Sequence, residues 1–412
     1  MAPATESHAS DARVISLVGG AHFFSHFYIL VLPPLFPVLK AELGLSYTAL
    51  GGVLTAFSLA SGVAQYPVGV AVDRFGARGF LIVGLTVLAS AVALMSLVDS
   101  YWPLLMLAFV AGLGNSVFHP ADYSILSASV RESRLGRAYS IHTFSGHVGW
   151  SVAPPVVIFL TALWSWRTAL AIVGSVGLVM VLVLVFQSRA LKSDHQTHAQ
   201  HAADRAAGSA LQRTVGLLAA PPILMMFVFF VATAAVTVGM ASFTPSALSA
   251  LFDTPLVAAN GALTAVLVGG AAGVITGGFV ADKVGRLDAV AAIGFTAGSV
   301  AMCLVAFVAM PFWALVAVFG FAGFMIGMIS PSRDLMVRAV TPPGASGKVF
   351  GFVSAGLDVG GALAPLIFGW ILDMGAPRGV FLGAAAMMMV SLLAALGAAR
   401  FRPRAAAPSP AE

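Results

Sequence analysis

Charge is what this 412-residue sequence has least of. Only 9% of its residues are Asp, Glu, Lys or Arg, against about 25% in ordinary soluble domains. The 21 basic and 16 acidic residues must serve every loop and both tails, so none remain for a soluble catalytic or nucleic-acid-binding domain. Cysteine occurs once, as Cys303 in an apolar run, which excludes an intramolecular disulfide and a thiolate metal cluster. No Gly-Lys-Ser/Thr phosphate loop is present, so ATP does not drive the protein directly. A His-Glu-x-x-His pair and a Gly-x-Ser-x-Gly elbow are missing too, and the chain is not expected to be an enzyme.

Apolar residues fill the space that charge leaves, at 59% of the chain. A bilayer span needs roughly 20 residues, so this content furnishes about twelve spans. Apolar runs between short polar breaks predict them at 14–39, 47–72, 79–98, 103–130, 136–162, 165–187, 217–248, 256–281, 288–309, 312–337, 347–372 and 378–399. The first run is too long for a signal-peptide core and reads as an uncleaved span. The expected organisation is a six-helix bundle over 1–187, a cytoplasmic linker over 188–216 and a second bundle over 217–412.

The basic residues fall almost wholly on one side. Seventeen lie there: Arg13, Arg74, Arg78, Arg131, Arg134, Arg137, Arg189, Lys192, Arg205, Arg213, Lys283, Arg286, Arg338, Lys348, Arg400, Arg402 and Arg404. Only Lys40, Arg167 and Arg378 lie on the other, and Arg333 stands inside a span. The positive-inside rule makes the basic side cytoplasmic, with both termini facing it, and explains the +5 net charge without nucleic acid. His195, His198 and His201 in the linker are three apart, which suits a solvated segment better than a metal site.

A shift of 211 aligns the two halves: Pro34 with Pro245, Trp102 with Trp313, Pro120 with Pro331, Gly136 with Gly347, Gly149 with Gly360, Pro154 with Pro365 and Arg167 with Arg378. Six spans is an even number, so the halves share orientation. Parallel halves around a midplane site are a transporter arrangement.

The loops after spans two and eight are also alike. One reads Gly69-Val-Ala-Val-Asp73-Arg74-Phe-Gly76-Ala-Arg78, the other Gly278-Phe-Val-Ala-Asp282-Lys283-Val-Gly285-Arg286. Each is a Gly turn with fixed charges at helix ends. They resemble the signature loop of the major facilitator superfamily, with Ala71 and Ala77 in place of a usual Leu and a usual basic residue. The resemblance implies an all-α membrane fold of twelve transmembrane helices in two pseudo-symmetric bundles. It also implies that the loop acids help latch the cytoplasmic side. Within the superfamily, the first span from Ala21 through His22, Ser25, His26 and Tyr28 to Pro37 resembles the fosmidomycin-resistance branch, as does Ser116-Val-Phe-His119-Pro120. That branch often has an acid where His26 stands. Ser330-Pro-Ser-Arg333-Asp334 and Gly347-Lys-Val-Phe-Gly351 are similar to bacterial carriers of small organic anions.

A charge at a helix centre costs roughly 2.5–3.5 kcal/mol on insertion scales, so polar residues inside spans need a reason. His22 and His26 share a helix face, and the repeat sends them to Thr233 and Thr237. Asn115, His119 and Asp122 follow one another on span four, and Asp122 maps onto Arg333, which suggests a pair across the axis or an arginine holding a substrate carboxylate or phosphonate. His147 maps onto Asp358. The expected substrate contacts are His22, His26, Asn115, His119, Thr237 and Arg333, and the expected proton groups are His26, Asp122 and Asp358. Asp73, Arg74, Arg78, Asp282, Lys283 and Arg286 are the expected gate. Structural roles remain the alternative for each, as interhelical bonds within one half.

These residues predict a monomeric secondary transporter of the inner membrane, without cofactor or resident metal, exporting a small organic anion against protons. Proton-linked uptake of a metabolic carboxylate and a transporter-like sensor are the alternatives.

Overall fold

The computed structural model describes residues 4–192, 216–283, 287–342 and 346–401, and all regular structure among them is helical. The N-terminal half runs α1 (Ala4–Ile29), α2 (Phe36–Leu43), α3 (Tyr47–Phe75), α4 (Ala77–Met95), α5 (Tyr101–Asn115), α6 (Phe118–Ser129), α7 (Glu132–Leu163) and α8 (Trp166–Phe186). The C-terminal half runs α9 (Pro221–Phe252), α10 (Leu256–Lys283), α11 (Leu287–Phe307), α12 (Phe312–Val340), α13 (Ser346–Asp373) and α14 (Pro377–Ala399). Among the described residues, twelve spans are long and apolar enough to cross a membrane, with α1–α2 and α5–α6 each forming one.

Two of the expected spans are each built from two helices, and proline is the cause in both. Pro33 and Pro34 carry no backbone N–H, so the first span passes through a 3₁₀ turn at Pro33–Leu35 before α2 resumes. Pro120 cannot donate to the Ser116 carbonyl, and the fourth span restarts at Phe118. At the end of α2 the chain reverses through Gly44, whose φ of 65° is in the left-handed region that favours glycine.

The repeat is visible in the elements. Tyr101 and Phe312 begin α5 and α12, and Trp166 and Pro377 begin α8 and α14, each pair 211 apart. Three helix pairings recur in the two halves: α1 with α7 and α9 with α13, α3 with α5 and α10 with α12, α4 with α8 and α11 with α14. Repeated glycines serve repeated contacts. A Cβ on Gly112 would overlap the Phe57 carbonyl of α3, and one on Gly323 the Val266 carbonyl of α10. Gly149 and Gly360 lie in the same way against Phe23 and Val231.

The outer surface is apolar, as lipid requires: Val179, Leu182 and Phe186 expose one face of α8. Trp102, Trp164, Trp313 and Trp370 are exposed at the ends of α5, α7, α12 and α13, all on the side opposite the signature loops. That placement suits the amphipathic indole at a membrane–water interface. The three cations of the sparse side are all held there. Arg167 reaches the Asp99 carboxylate at 2.7 Å, Lys40 lies 3.8 Å from Asp373, and Arg378 stands over Phe307 at 6.0 Å.

The halves meet along α3 and α13, and again along α7 and α10. On α3 the contact runs from Tyr47, bonded to Asp373, past Gly51 against the Pro365 carbonyl, to Thr55, whose hydroxyl donates to Ala362 O at 2.6 Å. It reaches Gly62, where an added Cβ would lie 3.6 Å from Asp358 Cγ. Past Gly62 the α3 side chains Tyr66, Val70 and Phe75 are exposed.

Candidate functional site: an inter-half cleft beside a buried histidine cluster

A cleft opens between the halves behind the α3–α13 contact. Ile29, Leu54, Phe57, Ser58 and Trp150 line it from one half, and Thr237, Val238, Ala241 and Ser242 from the other. Thr237 donates to Thr233 O at 3.0 Å, one turn back on α9. Thr233 in turn lies 3.3 Å from Ser391 Oγ. The walls are mostly apolar with a few hydroxyls and one indole, as small-molecule sites commonly are.

Trp150 links the cleft to a polar cluster deeper in the N-terminal half. Its ring lies 4.9 Å from that of His26, which is 4.5 Å from His22. His22 stacks on His142 of α7 at 3.6 Å and 26°. Both approach one oxygen of Asp122: His142 Nε2 is 2.9 Å from Oδ2 and His22 Nδ1 is 3.2 Å from it. Asp122 is fully buried, and His22 and His142 are each 2% exposed. His119 stands at the edge, 5.5 Å from His22, with an exposed side chain. Tyr123 stacks on His119 and also meets His142 and Tyr139.

Local sequence explains the convergence. His22 and His26 are one turn apart on α1, and His119 and Asp122 are three apart on α6. Gly146, one turn after His142, leaves room for both α1 imidazoles: a Cβ there would lie 3.0 Å from His22 Nε2 and from His26 Cδ2.

The cluster thus unites His22, His26, His119 and Asp122, and places Thr237 on the adjoining cleft. It separates other expected partners. Asp122 is held by His22 and His142 rather than by Arg333, whose guanidinium lies 4.7 Å over the Phe230 ring of α9. Asn115 bridges helices, accepting from Ser25 Oγ at 2.7 Å and donating to Ser61 Oγ at 3.1 Å. His147 Nδ1 lies 3.0 Å from Thr143 O within its own helix. Asp358 has an exposed side chain on α13 facing Gly62. Of the expected gate, Arg74 and Arg78 are exposed at the α3–α4 turn. The side chains of Asp73, Asp282, Lys283 and Arg286 lie outside the described residues, as do those of His195, His198, His201, Asp334 and Lys348.

His142 is the group that sequence reasoning left out of the expected site. Its signal was there: a histidine inside an apolar span, followed four and seven residues later by Gly146 and Gly149. Asp373 and Trp150 gave none, since a helix-end acid and a span tryptophan are unremarkable alone.

Two parallel bundles of six spans, meeting around a partly polar cleft, define a membrane carrier. The model of the Major Facilitator Superfamily matches residues 18–275 and 245–412, and the chain belongs to that superfamily. It is 25% identical to the fosmidomycin resistance protein of Escherichia coli (strain K12) over 285 residues, covering 69% of each chain. It is 26% identical to the probable L-galactonate transporter of the same strain over 144 residues, 35% of this chain and 32% of that one. The match to the membrane sensor protein UhpC of E. coli is 23% over 397 residues, 91% of this chain and 88% of that one. Among solved structures, a bacterial homologue of the human lysosomal transporter Spinster, inward-facing and unoccupied, superposes with a TM-score of 0.78. It is 16% identical and covers 98% of this chain and 99% of its own. Members of the superfamily bind small-molecule substrates, and this chain is accordingly an integral membrane protein of a transporter superfamily rather than an enzyme.

Proposed function

We propose that the protein is a monomeric secondary transporter of the bacterial inner membrane that exports a small organic anion in exchange for protons. The observation that carries this reading is the cleft itself: Ser58 and Trp150 face Thr237 and Ser242 across the boundary between the halves. A ligand there touches both bundles, so rocking one against the other alters its access. Arg333 provides the planar cation for a carboxylate or phosphonate. Asp358, on the α13 face where the α3 contact ends, is the carboxylate assigned to the proton.

With the termini cytoplasmic, the seam from Tyr47–Asp373 to Thr55–Ala362 closes the periplasmic side, and the conformation is inward-facing. The fit to an inward-facing Spinster homologue supports this orientation of the opening. The likeness to the fosmidomycin resistance protein supports export.

Uptake is the second reading. The relatives named as probable transporters of L-galactonate and of sulfoacetate, the latter 30% identical over 36% of this chain, are carriers of organic anions. Purified protein in proteoliposomes tests both, using a panel of carboxylates, sulfonates and phosphonates under an imposed pH gradient. Export predicts substrate movement opposite to the proton gradient, and uptake predicts movement with it. Absence of anion movement in either direction overturns both and leaves the sensor, for which the match to UhpC is the support.

A further inference from the structure

Asp122 and its two histidines come from three helices and leave their polar atoms in an unusual state. The Asp122 carboxylate uses one oxygen, Oδ2, toward both His22 and His142. Its other oxygen, Oδ1, has no hydrogen-bond partner among the described residues, nor has His142 Nδ1. His22 Nδ1 approaches Oδ2 to 3.2 Å without an aligned hydrogen bond. A purely structural network buried this deeply would be expected to satisfy these atoms, because each orphan costs about 1–3 kcal/mol.

We propose that His22, His142 and Asp122 form a binding site for a divalent first-row transition cation, buried within the N-terminal half. One donor atom from each residue lies within 4.8 Å of the other two. Zinc-type cations hold nitrogen and oxygen at roughly 2.0–2.2 Å in a tetrahedron, which sets neighbouring donors about 3.3–3.6 Å apart. The 2.9 and 3.2 Å separations at Asp122 need little adjustment to reach that spacing. The near-parallel stack of His22 on His142 brings the two imidazoles to one side of the carboxylate.

Donor chemistry selects the class of ion. Two imidazoles and one carboxylate suit zinc, iron(II), cobalt or nickel. Magnesium and calcium prefer oxygen ligands, and copper(I) prefers sulfur, which the cluster does not offer. His26, whose buried Nδ1 also has no hydrogen-bond partner among the described residues, is next to His22 and positioned to add a further nitrogen. The exposed His119 side chain marks the side from which an ion enters. A cation also offsets the cost of a carboxylate within a span. No sequence spacing announces the site, because its ligands are contributed by α1, α6 and α7. The proposal does not rest on the anion-export reading.

The test uses full-length protein without a histidine tag, in detergent and stripped by a chelator. Zn²⁺ is titrated by calorimetry and Co²⁺ by its visible absorption. Three variants are compared: Asp122→Asn, His142→Gln, and the linker triple substitution of His195, His198 and His201 by Gln. The wild type and the linker variant are expected to bind one ion per chain, with a cobalt spectrum of nitrogen and oxygen ligation. Asp122→Asn and His142→Gln are expected to weaken binding by more than about 10-fold. Unfolding temperatures without metal identify a misfolded variant, and if Asp122→Asn does not fold, His142→Gln carries the comparison. No wild-type binding at micromolar ion, or binding lost in the linker variant but kept in both cluster variants, overturns the proposal. The readout is equilibrium binding, so failure of transport has no bearing on it.

Discussion

The Asp373 carboxylate at the end of α13 caps the first turn of α3 in the other half of the protein. Its Oδ1 accepts from Tyr47 N at 2.8 Å, and its Oδ2 accepts from Thr48 N at 2.7 Å and Thr48 Oγ1 at 2.6 Å. The helix's own Ser46 side chain takes the next N–H, that of Ala49, at 3.0 Å. The first orphan donors of α3 are therefore satisfied jointly by the two halves. An acid at a helix N-terminus also gains from the helix dipole. Lys40, 3.8 Å from Asp373 and 4.7 Å over the Tyr47 ring, adds a cation to the same corner.

Asp373→Ala should consequently destabilise this closed seam while leaving each bundle folded. Helix-capping losses are typically about 0.5–2 kcal/mol, and about 1.4 kcal/mol is a tenfold change in an equilibrium constant. Spin labels at Ser46 and Met374, in a Cys303→Ser background, would read the separation across the seam. A larger population of long distances in Asp373→Ala is the expected result. An unchanged distribution would remove Asp373 from the gate.

Gly51 tests the same seam through sterics alone. Its missing side chain lets α3 press against the Pro365 carbonyl, with which any Cβ would overlap. Gly51→Val should therefore exclude the seam geometry and strongly reduce flux, yet leave protein yield and substrate binding in the open state nearly intact. Wild-type flux in this variant would show that the seam need not close as seen.

Much of this architecture was legible in the residues, and the limits are physical. Apolar runs located the spans, and the 211-residue repeat paired them, because helix starts and close-packed glycines recur wherever the two bundles need the same backbone approach. Gly112 and Gly323 illustrate this. The repeat failed where the halves differ. Asp373 has Ala162 at the equivalent position, so no symmetry argument could find the cap. Asp122 and Arg333 are equivalents in the repeat, but equivalence fixes depth and helix, not contact. His142, on a helix that also packs on α1, is nearer to Asp122 than the arginine across the axis. Proline was readable as a punctuation mark, but whether it ends a span or only kinks it depends on neighbours. Pro120 breaks a helix, whereas Pro331 at the equivalent position lies inside α12.

Arg333 is the residue through which anion selectivity can be tested most directly. Its guanidinium is oriented over the Phe230 ring, a contact worth roughly 0.5–2 kcal/mol. Arg333→Lys keeps the charge but loses the planar fork, so affinity for a carboxylate or phosphonate should fall by about 10-fold, or roughly 1.4 kcal/mol. Phe230→Leu should have a smaller effect in the same direction. Ligand-induced shifts in unfolding temperature across a concentration series measure both, and equal affinities in Arg333→Lys and wild type would exclude the arginine from the site.

Asp358 separates coupling from binding. It lies on α13 opposite Gly62, where the α3 contact ends, and makes no ion pair with a described residue. A carboxylate there can take up and release a proton as the two helices part, whereas an amide of the same shape cannot. Asp358→Asn should accordingly still bind substrate and still exchange labelled for unlabelled substrate across a proteoliposome membrane. Net movement driven by an imposed pH gradient should be abolished. The two assays together discriminate sharply: loss of both activities would mean that Asp358 supports the structure of the site. Retention of gradient-driven movement would mean that the proton is carried elsewhere in the protein.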